Sequence, residues 1–302
     1  MMDAESLKAA LSTVVAIPVT PYDADGWLDA GAYAALLERL IVGGITVVTP
    51  NGNTSEFYAL SRAEARLATE ITVKTVSSRA KVLVGVGHDV PTAVDAAQHA
   101  RDSGAELIMI HQPVHPHVSL TGWVDYHAAI AGAVPEIGVV LYVRNARIGG
   151  QQLKELGDRC QNVVGIKYAV PDPVRFAATI ADAGADRFAW IAGLAEPYAP
   201  SAFAAGATGF TSGLANVAPH VSLRMLHALR GNDFATAREV WRLIRRFEEL
   251  RAASESANNV SIVKEALAQL GLCRRDVRAP STTPSEKDAA AVTEILKTWD
   301  VA

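Results

Sequence analysis

Short apolar runs alternate with longer stretches in which apolar residues recur every three to four positions, from residue 14 to about residue 230. The runs read as strands at 14–18, 45–49, 82–86, 107–111, 138–142, 163–167, 188–192 and 208–211. They are close to continuously apolar rather than alternating, which marks strands covered on both faces. The stretches between them, at 30–42, 61–77, 91–103, 122–134, 151–160, 171–183 and 195–205, carry helical spacing, and 219–230 follows the last strand. Ser61-Arg62-Ala63-Glu64 fits a capping box, in which serine and glutamate each satisfy one end of the first turn. Gly43-Gly44 and Gly104 follow helices and precede strands, as helix C-caps do.

Eight strand–helix repeats predict a parallel sheet, and the pattern closes most naturally as a (β/α)8 TIM barrel over residues 1–230. A doubly wound open sheet is the alternative, but no GxGxxG follows the first strand. Beyond residue 230 strand signals stop. Helical patterns at 233–253, 260–270 and 285–299, the last two separated by the proline-containing loop 278–284, predict a C-terminal helical extension, 231–302, packed on the barrel.

At 302 residues, half of them hydrophobic, the chain can bury a sizeable core. A net charge of -4 argues against nucleic acid as a partner. Arg242, Arg245 and Arg246 lie on a helical pattern with Glu248 and Glu249, as on a solvated helix face. Cys160 and Cys273 form neither a disulfide framework nor a zinc motif. The first residues lack the basic start and apolar core of a signal peptide, and no apolar run approaches the ~18 residues of a membrane span. The expectation is a soluble cytoplasmic protein with no membrane partner.

Barrels of this kind build their sites at the C-terminal ends of the strands. The sixth run, Val163-Val164-Gly165-Ile166-Lys167, ends on a lysine where a buried strand should not carry one. A buried ammonium is costly unless it is paired or its pKa falls. A neutral lysine can attack a ketone to form a Schiff base. The bland alternative is a packed stem with its charge in water. Tyr142 ends the preceding strand; with period two, Val140 and Tyr142 share one face, as do Gly165 and Lys167. If both faces point inward, phenol and amine meet at the barrel mouth, where the phenol can move protons; otherwise Tyr142 closes the top of the core.

The loop Asn51-Gly52-Asn53-Thr54-Ser55-Glu56 after the second strand offers donors for a carboxylate at Asn53, Thr54 and Ser55, or is an ordinary turn leading to the helix at Ser61. His111, His115 and His117 follow the fourth strand. Pro113 and Pro116 deny them a helical i, i+4 face, so one histidine in proton transfer is expected rather than a metal site. Gly193 and Thr211 stand at the ends of the seventh and eighth strands.

Taken together, several spaced motifs resemble the dihydrodipicolinate synthase/N-acetylneuraminate lyase family of class I, Schiff-base enzymes, over 14–299. They are Ile17-Pro18-Val19-Thr20-Pro21, the 51–56 loop in place of G-T-T-G-E, Leu141-Tyr142, Val164-Gly165-Ile166-Lys167, Gly206-Ala207-Thr208-Gly209-Phe210-Thr211-Ser212 and Ala215-Asn216-Val217-Ala218-Pro219. The resemblance implies an imine of Lys167 with pyruvate or another 2-oxo acid, Tyr142 as the proton-transfer phenol, and Thr54 with its loop amides on the substrate carboxylate. Asn53, Ser55, Gly193 and Thr211 complete the implied substrate contacts. It implies no cofactor beyond the covalent imine, and a homo-oligomer, dimer or tetramer.

Two departures stand out. Asn53 replaces the threonine that relays protons to the tyrosine, and His115 replaces the second tyrosine of P-Y-Y, making His115 a candidate acid or base. Arg147 falls where the synthase places an arginine for a semialdehyde carboxylate; the alternative is a solvated loop arginine. The leading expectation is therefore a Schiff-base aldolase or dehydratase acting on pyruvate or a 2-keto-3-deoxy acid. The alternatives are 4-hydroxy-tetrahydrodipicolinate synthase, condensing pyruvate with aspartate semialdehyde, and a non-catalytic barrel that binds 2-oxo acids. The intact pairing of Tyr142 and Lys167 weighs against the last.

Overall fold

The computed structural model describes residues 3–299. Its eight strands are β1 (Val14–Ala16), β2 (Val47–Val48), β3 (Lys81–Val86), β4 (Leu107–Ile110), β5 (Gly138–Val143), β6 (Val163–Tyr168), β7 (Ala189–Ala192) and β8 (Gly209–Ser212). They hydrogen-bond in sequence order as a closed barrel, the (β/α)8 topology the apolar runs predict. No helix among the described residues is long and apolar enough to cross a membrane. The chain divides into two compact units, Lys81–Thr211 with the N-terminal segment through Val15, and Ala16–Ala80 with the residues from Ser212 onward.

The first unit carries β3 to β8 side by side and parallel. Its helices are α1 (Ala4–Leu11), then, numbering along the chain past two helices of the second unit, α4 (Val90–Asp102), α5 (Leu120–Gly132), α6 (Gly150–Arg159), α7 (Pro173–Ala183) and α8 (Ala195–Ala204). The hydrophobic pattern does not predict α1. It is capped by Asp3, whose Oδ1 accepts from Ser6 N–H, and buries Leu7 and Leu11 on one face. Those side chains lie against Gly138 and Gly165, low on β5 and β6.

Aromatic rings identify the outer face of the sheet. Tyr168 stacks on Phe176 of α7 with centroids 4.7 Å apart, and Phe210 meets Phe203 of α8 at 6.5 Å. Because strand side chains alternate, Lys167 and Thr211, the neighbours of these rings, take the opposite, inner face. β4, β5 and β6 are buried throughout, and β3 is buried beyond Lys81; each fully buried Leu, Ile or Val contributes roughly 1.5–3 kcal/mol.

The second unit holds β2 and the helices α2 (Ala30–Val42), α3 (Arg62–Val76), α9 (Pro219–Arg230), α10 (Phe234–Ser256), α11 (Ser261–Gln269) and α12 (Glu286–Leu296). Although β2 is only two residues long, Thr49 N–H extends its pairing by donating to Ala16 O at 2.7 Å. The predicted capping box is present: Ser61 Oγ accepts from Glu64 N–H, and Glu64 Oε2 accepts from Ser61 N–H at 3.0 Å. Asn216 stitches the ends of β1 and β8. Its Nδ2 donates to Ile17 O and Gly213 O, both at 2.8 Å, and its Oδ1 accepts from Val19 N–H at 3.0 Å. Helical backbone in α10 breaks at Ala253, Ser254 and Glu255. α11 is buried from Ser261 to Leu267, including the charged residues Lys264 and Glu265.

Candidate active site

Lys167 and Tyr142 are direct register partners across β5 and β6. Both side chains are buried, at 3% and 5% exposure. Lys167 Nζ lies 4.5 Å from the centroid of the Tyr142 ring. Among the described residues no carboxylate pairs with this ammonium, and burial pushes its pKa down from 10.5 to about 7. At 1.36 kcal/mol for each tenfold step, that is a penalty of roughly 5 kcal/mol against the charged form. The ring face attracts an ammonium by about 0.5–2 kcal/mol, so desolvation outweighs it. A substantial fraction of Lys167 is thus a neutral amine near neutral pH, the state a nucleophile needs.

The surroundings fix this pair. Gly193 follows β7 and donates its N–H to Tyr168 O at 2.7 Å. A Cβ on Gly193 would stand 2.9 Å from that oxygen and 3.0 Å from Lys167 Cγ, so only glycine leaves room for the lysine stem. Gln112 Nε2 donates to Tyr142 O, tying the end of β5 to the segment after β4. The imidazole of His111, fully buried, meets the Tyr142 ring edge-on with centroids 6.0 Å apart. Thr211 is buried on β8.

His115 and Arg147 stand on the segments that follow β4 and β5, both exposed. His115 Nδ1 is engaged with the backbone N–H and carbonyl of His117, at 3.1 and 2.9 Å. Arg147 Nη1 donates to Val118 O at 3.1 Å, and its backbone N–H donates to Asn145 Oδ1 at 2.9 Å. In the free chain both side chains are engaged with the loops that carry them. Of the three histidines after the fourth strand, His111 is the one the structure brings to Tyr142.

In the second unit the 51–56 loop is a tight 3₁₀ turn, Asn53–Ser55. A Cβ on Gly52 would lie 2.5 Å from Ile17 Cγ2, so the close approach of loop and β1 end requires glycine there. Ser55 is consumed internally: its Oγ donates to Pro18 O at 2.6 Å and accepts from Gly52 N–H at 3.2 Å. Its hydroxyl proton is therefore committed to the segment after β1. Thr54 is 3% exposed and Asn53 half-buried. Thr20 Oγ1 donates to Ser55 O at 2.8 Å from the end of β1.

Two buried groups went unpredicted. Glu196, in the first turn of α8 three residues past Gly193, is fully buried after an Ala195 held at φ 62°. Glu56 and Lys264 form a buried ion pair. For Glu196 the available signal was a carboxylate directly after the glycine of a strand-end loop. For Lys264 it was a cation in an apolar helix that reads Val260-Ser261-Ile262-Val263-Lys264.

Comparison with known proteins places these features in context. The model of the Dihydrodipicolinate synthetase family matches residues 10–299. The chain is 30% identical over 302 residues to the probable 5-dehydro-4-deoxyglucarate dehydratase of Rhizobium rhizogenes, covering 99% of each. It is 33% identical to the 4-hydroxy-tetrahydrodipicolinate synthase of Phenylobacterium zucineum, covering 92% of this chain and 94% of that one. The crystal structure of dihydrodipicolinate synthase from Bacillus clausii superposes with a TM-score of 0.93 at 40% identity, covering 97% of this chain and 99% of the other.

Proposed function

The chain belongs to the Dihydrodipicolinate synthetase family, whose members are Schiff-base lyases, and on that premise we propose that it dehydrates or cleaves a 2-keto-3-deoxy acid through an imine on Lys167. The observation that carries the reading is the buried, near-neutral amine of Lys167 against the Tyr142 ring. The neutral amine attacks the 2-oxo carbon and the carbonyl oxygen leaves as water, with the Tyr142 phenol handing protons between nitrogen and oxygen. The resulting iminium acidifies C3, and loss of a C3 proton gives an enamine. An enamine expels a hydroxyl from C4 as water; alternatively, cleavage of the C3–C4 bond releases an aldehyde and leaves the enamine on the lysine.

Thr54 is assigned the substrate carboxylate on the strength of the resemblance, and Asn53, Gly193 and Thr211 further substrate contacts. No cofactor takes part in this scheme, and His115 and Arg147 are assigned to the distal end of the substrate. Dehydration is favoured over synthesis with aspartate semialdehyde because Asn53, lacking a hydroxyl, cannot pass protons as the threonine of the synthase loop does. The relatives include a probable dehydratase of a deoxy-keto acid beside a synthase, so the choice between them rests on Asn53.

Borohydride reduction in the presence of a panel of 2-oxo acids, read by intact mass, tests the imine. An adduct that disappears in Lys167→Ala is expected; no adduct with any 2-oxo acid, or one that survives the substitution, overturns the reading. A turnover screen then separates the activities, with consumption of 2-keto-3-deoxy acids expected and turnover confined to pyruvate plus aspartate semialdehyde deciding for the synthase.

A further inference from the structure

The second unit buries a set of charges that the imine chemistry leaves unused. Lys264, on α11, is fully buried, and its Nζ lies 2.5 Å from Glu56 Oε2 and donates to Asp276 O at 2.8 Å. The other Glu56 oxygen accepts from the backbone N–H of Arg278 at 2.8 Å. The Arg278 guanidinium donates to Gly26 O at 2.7 Å and Ala59 O at 3.0 Å, and pairs with Glu64. Lys264 and Arg278 both stand over the Tyr22 ring, 3.9 and 4.3 Å from its centroid. Glu56 is the point at which α11, the 274–278 segment and the 51–56 loop are joined.

A buried pair of this kind is weak evidence for stability, because well-packed apolar side chains hold helices together at least as well. What it provides is geometry. Glu56 sits at φ 60°, ψ 36°, in the left-handed region that a side chain rarely adopts unless its surroundings impose it. From that conformation its N–H donates to Asn53 O at 3.1 Å and closes the turn that carries Asn53, Thr54 and Ser55. Lys264 and the Arg278 amide grip both carboxylate oxygens and so hold the turn from behind. Ser55, bonded to Pro18, holds it from the other side.

We propose that Glu56 and Lys264 are positioning residues that set the 53–55 turn to receive the substrate carboxylate, an inference that rests on the assignment of Thr54 to that carboxylate under Proposed function. Neither residue touches substrate. Their effect is on the concentration of oxo acid needed to load the enzyme, and the chemistry of Lys167 is left as it is.

The test uses the full-length protein and two variants, Glu56→Gln and Lys264→Met, with two carbonyl probes. Pyruvate carries the ketone and the carboxylate; acetone carries the ketone alone. Borohydride trapping is followed against pyruvate concentration and, separately, with acetone. In the variants the half-saturating pyruvate concentration rises about tenfold or more, while the limiting trapping rate and the acetone rate stay within about threefold of wild type. Unchanged half-saturation, or a parallel loss with both probes, overturns the inference. Should Lys264→Met not accumulate as folded protein, Glu56→Gln decides by the same criteria, since it keeps the shape and an acceptor oxygen. Absence of any pyruvate adduct in the wild type removes the Schiff-base reading itself; a wild-type adduct with indifferent variants removes only the positioning role.

Discussion

Tyr142 stands opposite Lys167 because the register between β5 and β6 slips by one residue at Val164. Val139 pairs with Val163, but Val140 pairs with Gly165, leaving Val164 without a partner. Unslipped, Tyr142 would face Ile166 and Lys167 would face Val143. A one-residue slip exchanges the two faces of a strand relative to its neighbour. The irregularity low in the sheet is therefore what puts phenol and amine on a common face at its C-terminal end. Tyr142→Phe keeps the ring under the ammonium and removes the proton. Turnover should fall by about 10²–10⁴, whereas borohydride trapping of pyruvate persists at a reduced rate. Full turnover in the variant would take Tyr142 out of the proton path.

Burying Lys167 costs stability, and the pH dependence of that cost has a definite sign. Its folded pKa is depressed from 10.5 to about 7 by burial. Above 10.5 both folded and unfolded states carry the neutral amine and nothing is lost. As the pH falls from 10.5 to about 7 the unfolded chain binds a proton that the folded chain declines, and stability drops; below 7 both bind it and the loss levels off. Lys167→Met, of similar length and without charge, is expected to be more stable than wild type by a few kcal/mol at pH 7. Urea unfolding at pH 7 and pH 10 measures it: the gain should shrink toward pH 10. The same titration makes the rate of imine formation rise as pH increases through about 7.

His115 and His111 divide the question of where a second proton is handled. His115 lies exposed on its own loop, bound to His117, while His111 is buried edge-on to Tyr142. If His115 acts on the distal end of the substrate, His115→Phe lowers turnover more than it lowers imine formation. His111→Phe, next to the phenol, lowers both. Equal losses in both assays for His115→Phe would contradict its assignment to a step after the imine.

The positions of the eight strands were legible from the sequence as apolar runs, one of them broken by the lysine at 167, but their ends were not: β5 and β6 each continue one residue further, to Val143 and Tyr168. The slip was not legible. Val164 is as apolar as its neighbours, so nothing in the residues marks it as unpaired, and the common face of Tyr142 and Lys167 follows only from the register. α1 was missed because Leu7 and Leu11 alone carry its buried face, too little for a periodic signal. Ser55 looked like a free donor because a serine in a glycine-containing loop gives no hint that Pro18 O, 37 positions away, will take its proton. Among the histidines, spacing could exclude a helical metal face but could not distinguish the strand-end side chain at 111, which turns inward, from the loop side chain at 115. The Glu56–Lys264 pair joins residues 208 apart in sequence, beyond the reach of any local pattern.

His127 gives the fold an acid sensitivity independent of the active site. It is fully buried on α5, tilted against Trp123 with centroids 3.9 Å apart, and its Nδ1 is 2.7 Å from Trp123 O. Burial pushes its pKa from 6.5 down to about 4, and the bond to the carbonyl offsets only part of that. Above pH 6.5 both states hold a neutral ring and this residue adds no pH dependence. Between pH 6.5 and about 4 the unfolded chain takes up a proton that the folded chain refuses, so stability falls as the pH falls, by about 3 kcal/mol when the window has been crossed. His127→Phe keeps a ring against Trp123 but has nothing to protonate. It gives up the Trp123 bond, worth about 1 kcal/mol, at every pH. The variant should therefore be slightly less stable than wild type at pH 7.5 and more stable at pH 4.5. Denaturant unfolding at the two pH values reads the crossing directly; parallel losses at both would mean that His127 is already charged in the folded protein or that the acid response belongs to other groups.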